Sequence, residues 1–406
     1  MVRSGVYQED KLEITKQLTI ISQIPNQAVI NIHPSMYPTD FYGITIMMLN
    51  DSIDIHADNV ELYGLVIKNQ KPDFAYDEST ALNNYGSIFA NGSGIQITNN
   101  IFGDKGMPIK LKLNGNNNQA TGNSITAIDV NGNSNKISNN IGAIHLSGSN
   151  NKILENTGGQ LLLANASNNI VTSNSFNKQY GSGIIRLVDA DYNTFRNNTV
   201  VTDYTVAVEF GSQGTKGGSH NLFTNNTIEG ATLWGVLLGL GDYNVFYGNI
   251  IANNGGLKYS GYGLAMGGNH RQVNNNLFYG NIFMNNNKNF GANWEVVGSG
   301  NSFDNGSMGN YWDDYLAKYP NAVEIGNSGV GSVPYQIYGN VADNYPLMKI
   351  SGVKTDAEIT VPAGSTKSYP TPTMSEVTAI VIMPLLLLLF SVALVLRYRK
   401  TVKLKQ

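Results

Sequence analysis

NLFTNNTI (Asn221–Ile228) is followed 23 residues later by NVFYGNII (Asn244–Ile251), and NLFYGNIF (Asn276–Phe283) comes 32 residues after that. Each copy reads Asn, any residue, an apolar residue, two more residues, then a second Asn, any residue and an apolar residue. Working outward, the pattern returns in NTFRNNTV from Asn193, NIVTSNSF from Asn169 and NKISNNIG from Asn135. The leading residues are Asn118, Asn135, Asn151, Asn169, Asn193, Asn221, Asn244, Asn276 and Asn301, at intervals of 17, 16, 18, 24, 28, 23, 32 and 25. Apolar residues two apart imply strands, because alternate side chains share a face. Strands this short, separated by Asn and Gly turns, are too brief for helical repeats and fit the coils of a parallel β-helix. The variable interval favours the right-handed kind, whose loops bulge between strands, in agreement with the usual hand of parallel crossovers. The expected fold is all-β, a right-handed parallel β-helix of the pectin-lyase-like solenoid type.

Stacked coils turn each repeat position into a column. Two residues after the leading Asn, one column reads Ala120, Ile137, Ile153, Val171, Phe195, Phe223, Phe246, Phe278 and Phe303. It should form a buried core, with the rings at about the 4.8 Å strand spacing. A second column, Asn123, Asn140, Asn156, Asn174, Asn198, Asn226, Asn249 and Asn281, should bond amide to amide from coil to coil and carry no catalytic role. Before Asn118 the repeat is degenerate, but NVELYGLVI from Asn59 and GIQITNNIF from Gly94 keep its alternation, so coils are expected from about residue 5.

The composition suits a turn-rich body: 44 of 406 residues are Gly and only 14% are charged. There is no Cys, which rules out disulfides and thiolate sites. Five basic residues crowd the last ten positions, so the rest is more acidic than the formal net charge of -3 suggests. An acidic body lacks the clustered Lys and Arg that nucleic acid requires.

Val377–Leu396 is an uncharged run of 20 residues that spans roughly 30 Å as a helix, long enough to cross a bilayer. The basic tail 397–406 places the C-terminus in the cytoplasm and the body outside. Export normally uses an apolar N-terminal signal, which MVRSGVYQEDKLEITKQLTI does not contain. The expectation is therefore a start lying upstream, with a tail-anchored cytoplasmic protein as the alternative. The Pro, Ser and Thr-rich stretch before the apolar run reads as a stalk. The expected order is β-helix over 1–310, a C-terminal cap over 311–348, stalk over 349–376, transmembrane helix over 377–396 and basic tail over 397–406.

GVYQEDKLEITKQLTI near the start, GNYWDDY (Gly309–Tyr315), the segment VPYQIYGNVADNYPLM ending at Met348 and the Asn repeats together resemble the NosD-like and carbohydrate-binding right-handed β-helix proteins. The closing segment and anchor are similar to membrane-anchored, archaeal-type surface members. The resemblance covers nearly all of residues 5 to 348. It implies the fold, an extracytoplasmic place and contact with sugars or, in NosD itself, help with copper delivery. It supplies no catalytic signature for numbered residues of this chain.

Three functional classes follow. The first is binding of a cell-surface or environmental glycan, or surface adhesion, because Tyr and Trp rings stack on sugars; Tyr204, Trp234, Tyr262 and Trp294 are the candidate ligand residues, beside Tyr243 and Tyr259. The second is a polysaccharide lyase or hydrolase, which needs a base or paired carboxylates. The charge cluster of Arg186, Asp189, Asp191, Arg196, Asp203 and Glu209 is its candidate source, with Arg186, Asp189, Asp191 and Glu209 as catalytic candidates. By strand alternation Arg186 and Glu209 should face solvent on adjacent coils as an exposed ion pair. The third is copper handling, but His33, His56, His145, His220 and His270 show no ligand spacing. No cofactor is expected, calcium or copper being the open possibilities. Asp313 and Asp314 beside Trp312 are read as part of the cap.

Overall fold

The computed structural model describes residues 1–350 apart from 34–35, 42–43, 50–52, 70–85, 104–107, 179–182, 212–215, 257–260, 268–271 and 293–296. The expected stalk beyond Ile350, the membrane span 377–396 and the basic tail lie outside the described residues. Among the described residues no helix is long and apolar enough to cross a membrane.

The chain winds into parallel strands whose coils stack in register. A coil is clear at Asn193: Thr194–Arg196, Thr199–Thr202 and Val206–Phe210 follow one another around the solenoid. Strands of the first kind form an 11-stranded sheet and strands of the second kind a 6-stranded sheet. The third kind belongs to a 16-stranded sheet. Coil length decides how many sides exist. In the short coils a single strand such as Ile141–Ser149 takes two sides, and the second strand becomes separate from Ser175–Lys178 onward, where the interval lengthens.

The expected core column is buried throughout, with Phe195, Phe223, Phe246, Phe278 and Phe303 at 0 or 1% exposure. Successive ring centroids lie 4.2, 4.9, 4.9 and 5.0 Å apart, all stacked, which is the strand spacing imposed on side chains. A second apolar column runs through Phe176, Val200, Ile228, Ile251, Phe283 and Trp312. Trp312 is thus a further rung, stacked 4.4 Å from Phe283 and covered by Tyr335 at 4.5 Å.

Both Asn columns are buried ladders. Each backbone N–H donates to the side-chain oxygen of the Asn one coil ahead, as from Asn174 to Asn198 at 3.0 Å and from Asn198 to Asn226 at 2.9 Å. The side-chain NH₂ of Asn198 donates backward to the Val171 carbonyl at 2.9 Å and forward to Asn226 Oδ1 at 2.9 Å. Every amide is thereby satisfied without water, which a buried amide requires. The residue before a leading Asn takes the left-handed conformation, as at Tyr192 (φ 58°), His220 (φ 58°) and Tyr243 (φ 59°), so the chain turns the corner there.

The second ladder ends on a different residue. Asn310 N donates to Asp343 Oδ2 at 2.7 Å, Trp312 Nε1 to the same oxygen at 2.9 Å and Tyr345 N to Oδ1 at 3.0 Å. Asp343 belongs to the hairpin Tyr335–Tyr338 and Val341–Asp343 that closes this end. Asp313 and Asp314 serve the same closure: Asn289 Nδ2 donates to Asp313 Oδ1 at 2.8 Å, and Tyr335 OH donates to Asp314 Oδ1 at 2.9 Å.

Burial pushes the Asp343 carboxyl up to about 7 against the pull of its N–H donors, well above its ordinary 3.8. Between those values the folded chain holds a proton that the unfolded chain has released, so the stability tied to that proton is complete below pH about 4 and lost as the pH rises through about 7. Unfolding midpoints of wild type and Asp343→Asn measured across this window should show wild type losing ground to the variant as pH increases. A constant difference would mean that Asp343 titrates at its ordinary value.

Candidate functional site

The ladder fixes what stands at each outer corner. Two residues before the leading Asn, successive coils place Asp191, Ser219, Asp242 and Asn274, and these are hydrogen-bonded in series. Ser219 N donates to Asp191 Oδ1 at 2.7 Å, Asp242 N to Ser219 Oγ at 3.1 Å and Asn274 N to Asp242 Oδ1 at 2.6 Å. Asp191 and Asp242 thus each spend one carboxylate oxygen on the corner backbone. Asp189, left-handed at φ 48°, joins them, and with Lys216, Ser219 and Gln272 they line a groove of about 320 Å³. That volume lies at the small end of ligand-sized cavities.

Beside the groove runs a stack of three rings from the intervening column. His220 lies between Tyr192 at 4.6 Å and Tyr243 at 4.9 Å, nearly parallel to both. Burial holds the imidazole below the ordinary histidine range, although Asp191 and Asp242 pull the other way. The stack therefore sets the His220 ring between the corners that carry Asp191 and Asp242. Tyr243, a sugar-stacking candidate from the sequence, is committed to this stack.

The charge cluster does not stay together. Asp189 and Asp191 enter the groove, Asp203 is exposed on another turn, and Arg196 faces outward from the first sheet. Arg186 and Glu209 are neighbours as expected, paired in register with Nε 3.1 Å from Oε2. The expectation that this pair is exposed is wrong, since Glu209 is only 7% exposed. Gly183 lies against the pair; a Cβ there would collide with Arg186 Cγ and lie 2.8 Å from Glu209 Oε2. Burial raises the Glu209 carboxyl above its usual range, with the Arg186 charge and hydrogen bond opposing it. The pair lies apart from the groove.

Among the aromatic candidates, Trp234 and Tyr262 come together in register at the starts of successive third strands, both half-buried. The Tyr262 ring lies over Gly291, where a Cβ would collide with it. Tyr204 is 41% exposed on the neighbouring turn, where its carbonyl accepts Thr232 N at 2.6 Å. Trp294, Tyr259 and His270 lie outside the described residues. The aromatic pair stands at the starts of two five-residue strands, each about 13 Å long, and the groove-lining Leu240 and Gln272 follow beyond their other ends.

Sequence reading missed Asp242, Lys216 and Gln272. Asp242 was findable, because it holds the same offset from Asn244 that Asp191 holds from Asn193. It also missed a dyad on the 16-stranded sheet, where His145 Nδ1 lies 2.8 Å from Asp129 Oδ1. Burial would raise the Asp129 carboxyl, but the His145 hydrogen bond and the charges of His145, Lys110 and Lys112 together hold it below its usual range. The two residues are 16 apart, the local coil length. Among the described residues no three His, Asp or Glu side chains are grouped to hold a metal ion, and His56, His145 and His220 stand on separate coils.

Residues 135–235 match the family model described as a right-handed β-helix region. Comparison with curated proteins finds no match. Among solved structures, the Dettilon tailspike protein is similar at 14% identity and a TM-score of 0.45, covering 68% of this chain and 60% of the tailspike. A mannuronic acid-specific polysaccharide lyase of family 6 from human gut microbiota gives 13% identity and 0.44, covering 76% of this chain and 80% of the lyase. The Azotobacter vinelandii mannuronan C-5 epimerase A-module gives 10% and 0.41, covering 73% and 90%. At these values none of the three lends a residue or an activity to this chain.

Arg186→Ala would leave the Glu209 carboxylate buried without its cation, at a cost of roughly 1–3 kcal/mol near neutral pH. Because Arg186 favours the ionised carboxylate, the cost should shrink as the pH falls and Glu209 protonates. Urea unfolding at pH 8 and pH 4.5 measures this; a cost within 0.5 kcal/mol at pH 8, as is usual for surface substitutions, would mean the pair is solvated.

Proposed function

We propose that this chain is a surface β-helix that binds a glycan in the groove of Asp189, Asp191 and Asp242. The convergence of three carboxylates, an amide, an ammonium and a hydroxyl around about 320 Å³ carries the reading. Sugar hydroxyls are bound by such acceptors and donors in fixed array, and Asp191 and Asp242 are already oriented by backbone N–H groups. Trp234 and Tyr262 supply an apolar ring surface at the starts of strands that lead toward the groove-lining Leu240 and Gln272. Anchoring through 377–396, with the β-helix of 1–310 and its cap of 311–348 outside the cell, belongs to this proposal, as does kinship with the NosD-like surface members.

A second reading draws on the same carboxylates. Paired acids in a sugar-binding groove are the machinery of glycoside hydrolysis, so ligands that bind should also be assayed for cleavage.

The test is a glycan array probed with the protein, followed by Asp189→Asn, which keeps a residue that tolerates the left-handed backbone there, and Gln272→Ala on any ligand found. Both residues line the groove and neither holds a ladder, so affinity should fall about tenfold for each while the melting temperature stays within about 2 °C. Binding unchanged in both variants would remove the groove from the account. Protease added to intact cells should digest the body and spare the tail; a protected body would support the tail-anchored alternative.

A further inference from the structure

Asn, any residue but Pro, then Ser or Thr is the acceptor pattern for attachment of a saccharide to an asparagine amide. Among the described residues it begins at Asn91, Asn165, Asn197, Asn225 and Asn305. In an Asn-rich repeat the pattern alone decides little, so the surroundings of each amide must choose. Asn197 Oδ1 is buried, and a Cβ on Gly248 would lie 2.5 Å from Asn225 Oδ1, so the next coil sits against that amide. At Asn91 and Asn165 the hydroxyl of the pattern serves a neighbouring coil. Ser93 Oγ accepts Asn116 N at 3.4 Å, and Ser167 Oγ shares a hydrogen bond with Ser149 Oγ at 2.9 Å.

Asn305 differs on both counts. Asn305, Gly306 and Ser307 are all exposed, and a Cβ on Gly306 would meet nothing within 4 Å. The turn stands on a fixed base, because Asp304 accepts Gly306 N through Oδ1 at 3.0 Å and Asn344 N through Oδ2 at 2.9 Å. At its tip Ser307 Oγ donates to Asn305 Oδ1 at 3.0 Å, joined by Ser307 N at 3.0 Å and Met308 N at 2.9 Å. The hydrogen bonds of this amide are thus all at its oxygen, and among the described residues no group takes up Nδ2. An amide nitrogen is a poor nucleophile because its lone pair is delocalised onto the oxygen, and it gains strength when it loses a proton. Three donors on Oδ1 stabilise the negative charge that this loss places on the oxygen.

We propose that Asn305 carries an N-linked saccharide. The donor is a saccharide held through diphosphate on a polyisoprenoid lipid, a class that joins an activated anomeric carbon to a membrane-bound carrier. Nδ2 bonds to the anomeric carbon, the carbon–oxygen bond to diphosphate breaks, the lipid diphosphate leaves with the electron pair, and the amide proton passes to a base of the transferase. An Asn-Gly pair invites a competing reaction, attack of Gly306 N on the Asn305 carboxamide with release of ammonia, but here Gly306 N is tied to Asp304 Oδ1. The assignment rests on the proposed placement of the body outside the cell, where the pattern is read.

Peptide mass spectrometry of the full chain, isolated from the membranes of its own cells, tests the assignment. The peptide holding Asn305 should carry saccharide mass, and those holding Asn197 and Asn225 should not. Asn305→Asp, whose carboxylate can accept the same three donors, should lose the saccharide while keeping the wild-type fold by circular dichroism. Ser307→Ala should lose it too, and Ser307→Thr should retain it. An Asn305 that is unmodified or only deamidated, or saccharide on Asn197 or Asn225 in its place, overturns the proposal. Protease treatment of the same intact cells distinguishes the acceptor from the placement. An unmodified Asn305 on a body that protease removes refutes the acceptor alone, whereas an unmodified Asn305 on a protected body refutes the placement with it.

Discussion

The structure depends on one hydrogen bond made many times, from the backbone N–H of a buried Asn to the side-chain oxygen of the Asn one coil ahead. The bond occurs where the chain must turn a corner, a place where backbone groups would otherwise be stranded away from water. Because the side-chain NH₂ also reaches a carbonyl of the coil behind, each Asn ties three coils together, as Asn198 does with Val171, Asn174 and Asn226. A single such bond contributes only about 1 kcal/mol net, but losing one strands groups that cannot find water. The ladder therefore fixes register more than it adds stability. With register fixed, apolar side chains of successive coils have no choice but to stack, and the Phe column takes its 4.2 to 5.0 Å spacing from the backbone.

The same constraint builds the groove. With the corner backbone held from inside, the residues just before each leading Asn are free to differ from coil to coil, and this is where Asp191, Ser219 and Asp242 appear. Their side chains repeat the ladder's bond on the outside of the corner, so they are part framework and part lining. Asp189, Lys216 and Gln272 have no such duty in the corner ladder, which makes them the better probes of binding. The ring stack of Tyr192, His220 and Tyr243 shows how far the stacking rule extends, since even a titratable ring is drawn into line.

Much of the fold was legible in the sequence because its signals are local. Alternation with a period of two gave the inward residues Ile185, Leu187, Val208 and Phe210, all of them buried. The Asn spacing gave the register, including the pairing of Arg186 with Glu209. The burial of that pair was not legible, because it depends on how closely Gly183 approaches the two side chains, and such an approach leaves no periodic trace. The groove was half legible for a related reason: Asp189 and Asp191 are close in sequence, whereas Asp242 and Gln272 arrive from later coils. Trp312 read as a capping residue because its Asn, Asn310, falls outside the run of paired Asn residues; the structure makes it the last rung of a column and the surface on which the cap sits.

The central claim is that the buried Asn ladder holds the coils in register. Equilibrium unfolding of Asn198→Ala beside Thr199→Ala tests it most directly, because the two residues are adjacent and only Asn198 is in the ladder. Asn198→Ala strands the Asn174 N–H and takes the second donor from the Val171 carbonyl, and should lose roughly 1–3 kcal/mol. Thr199 is exposed, and its variant should stay within about 0.5 kcal/mol of wild type. Equal and small losses in the two variants would contradict the claim and would mean that the coils are held by their apolar columns alone.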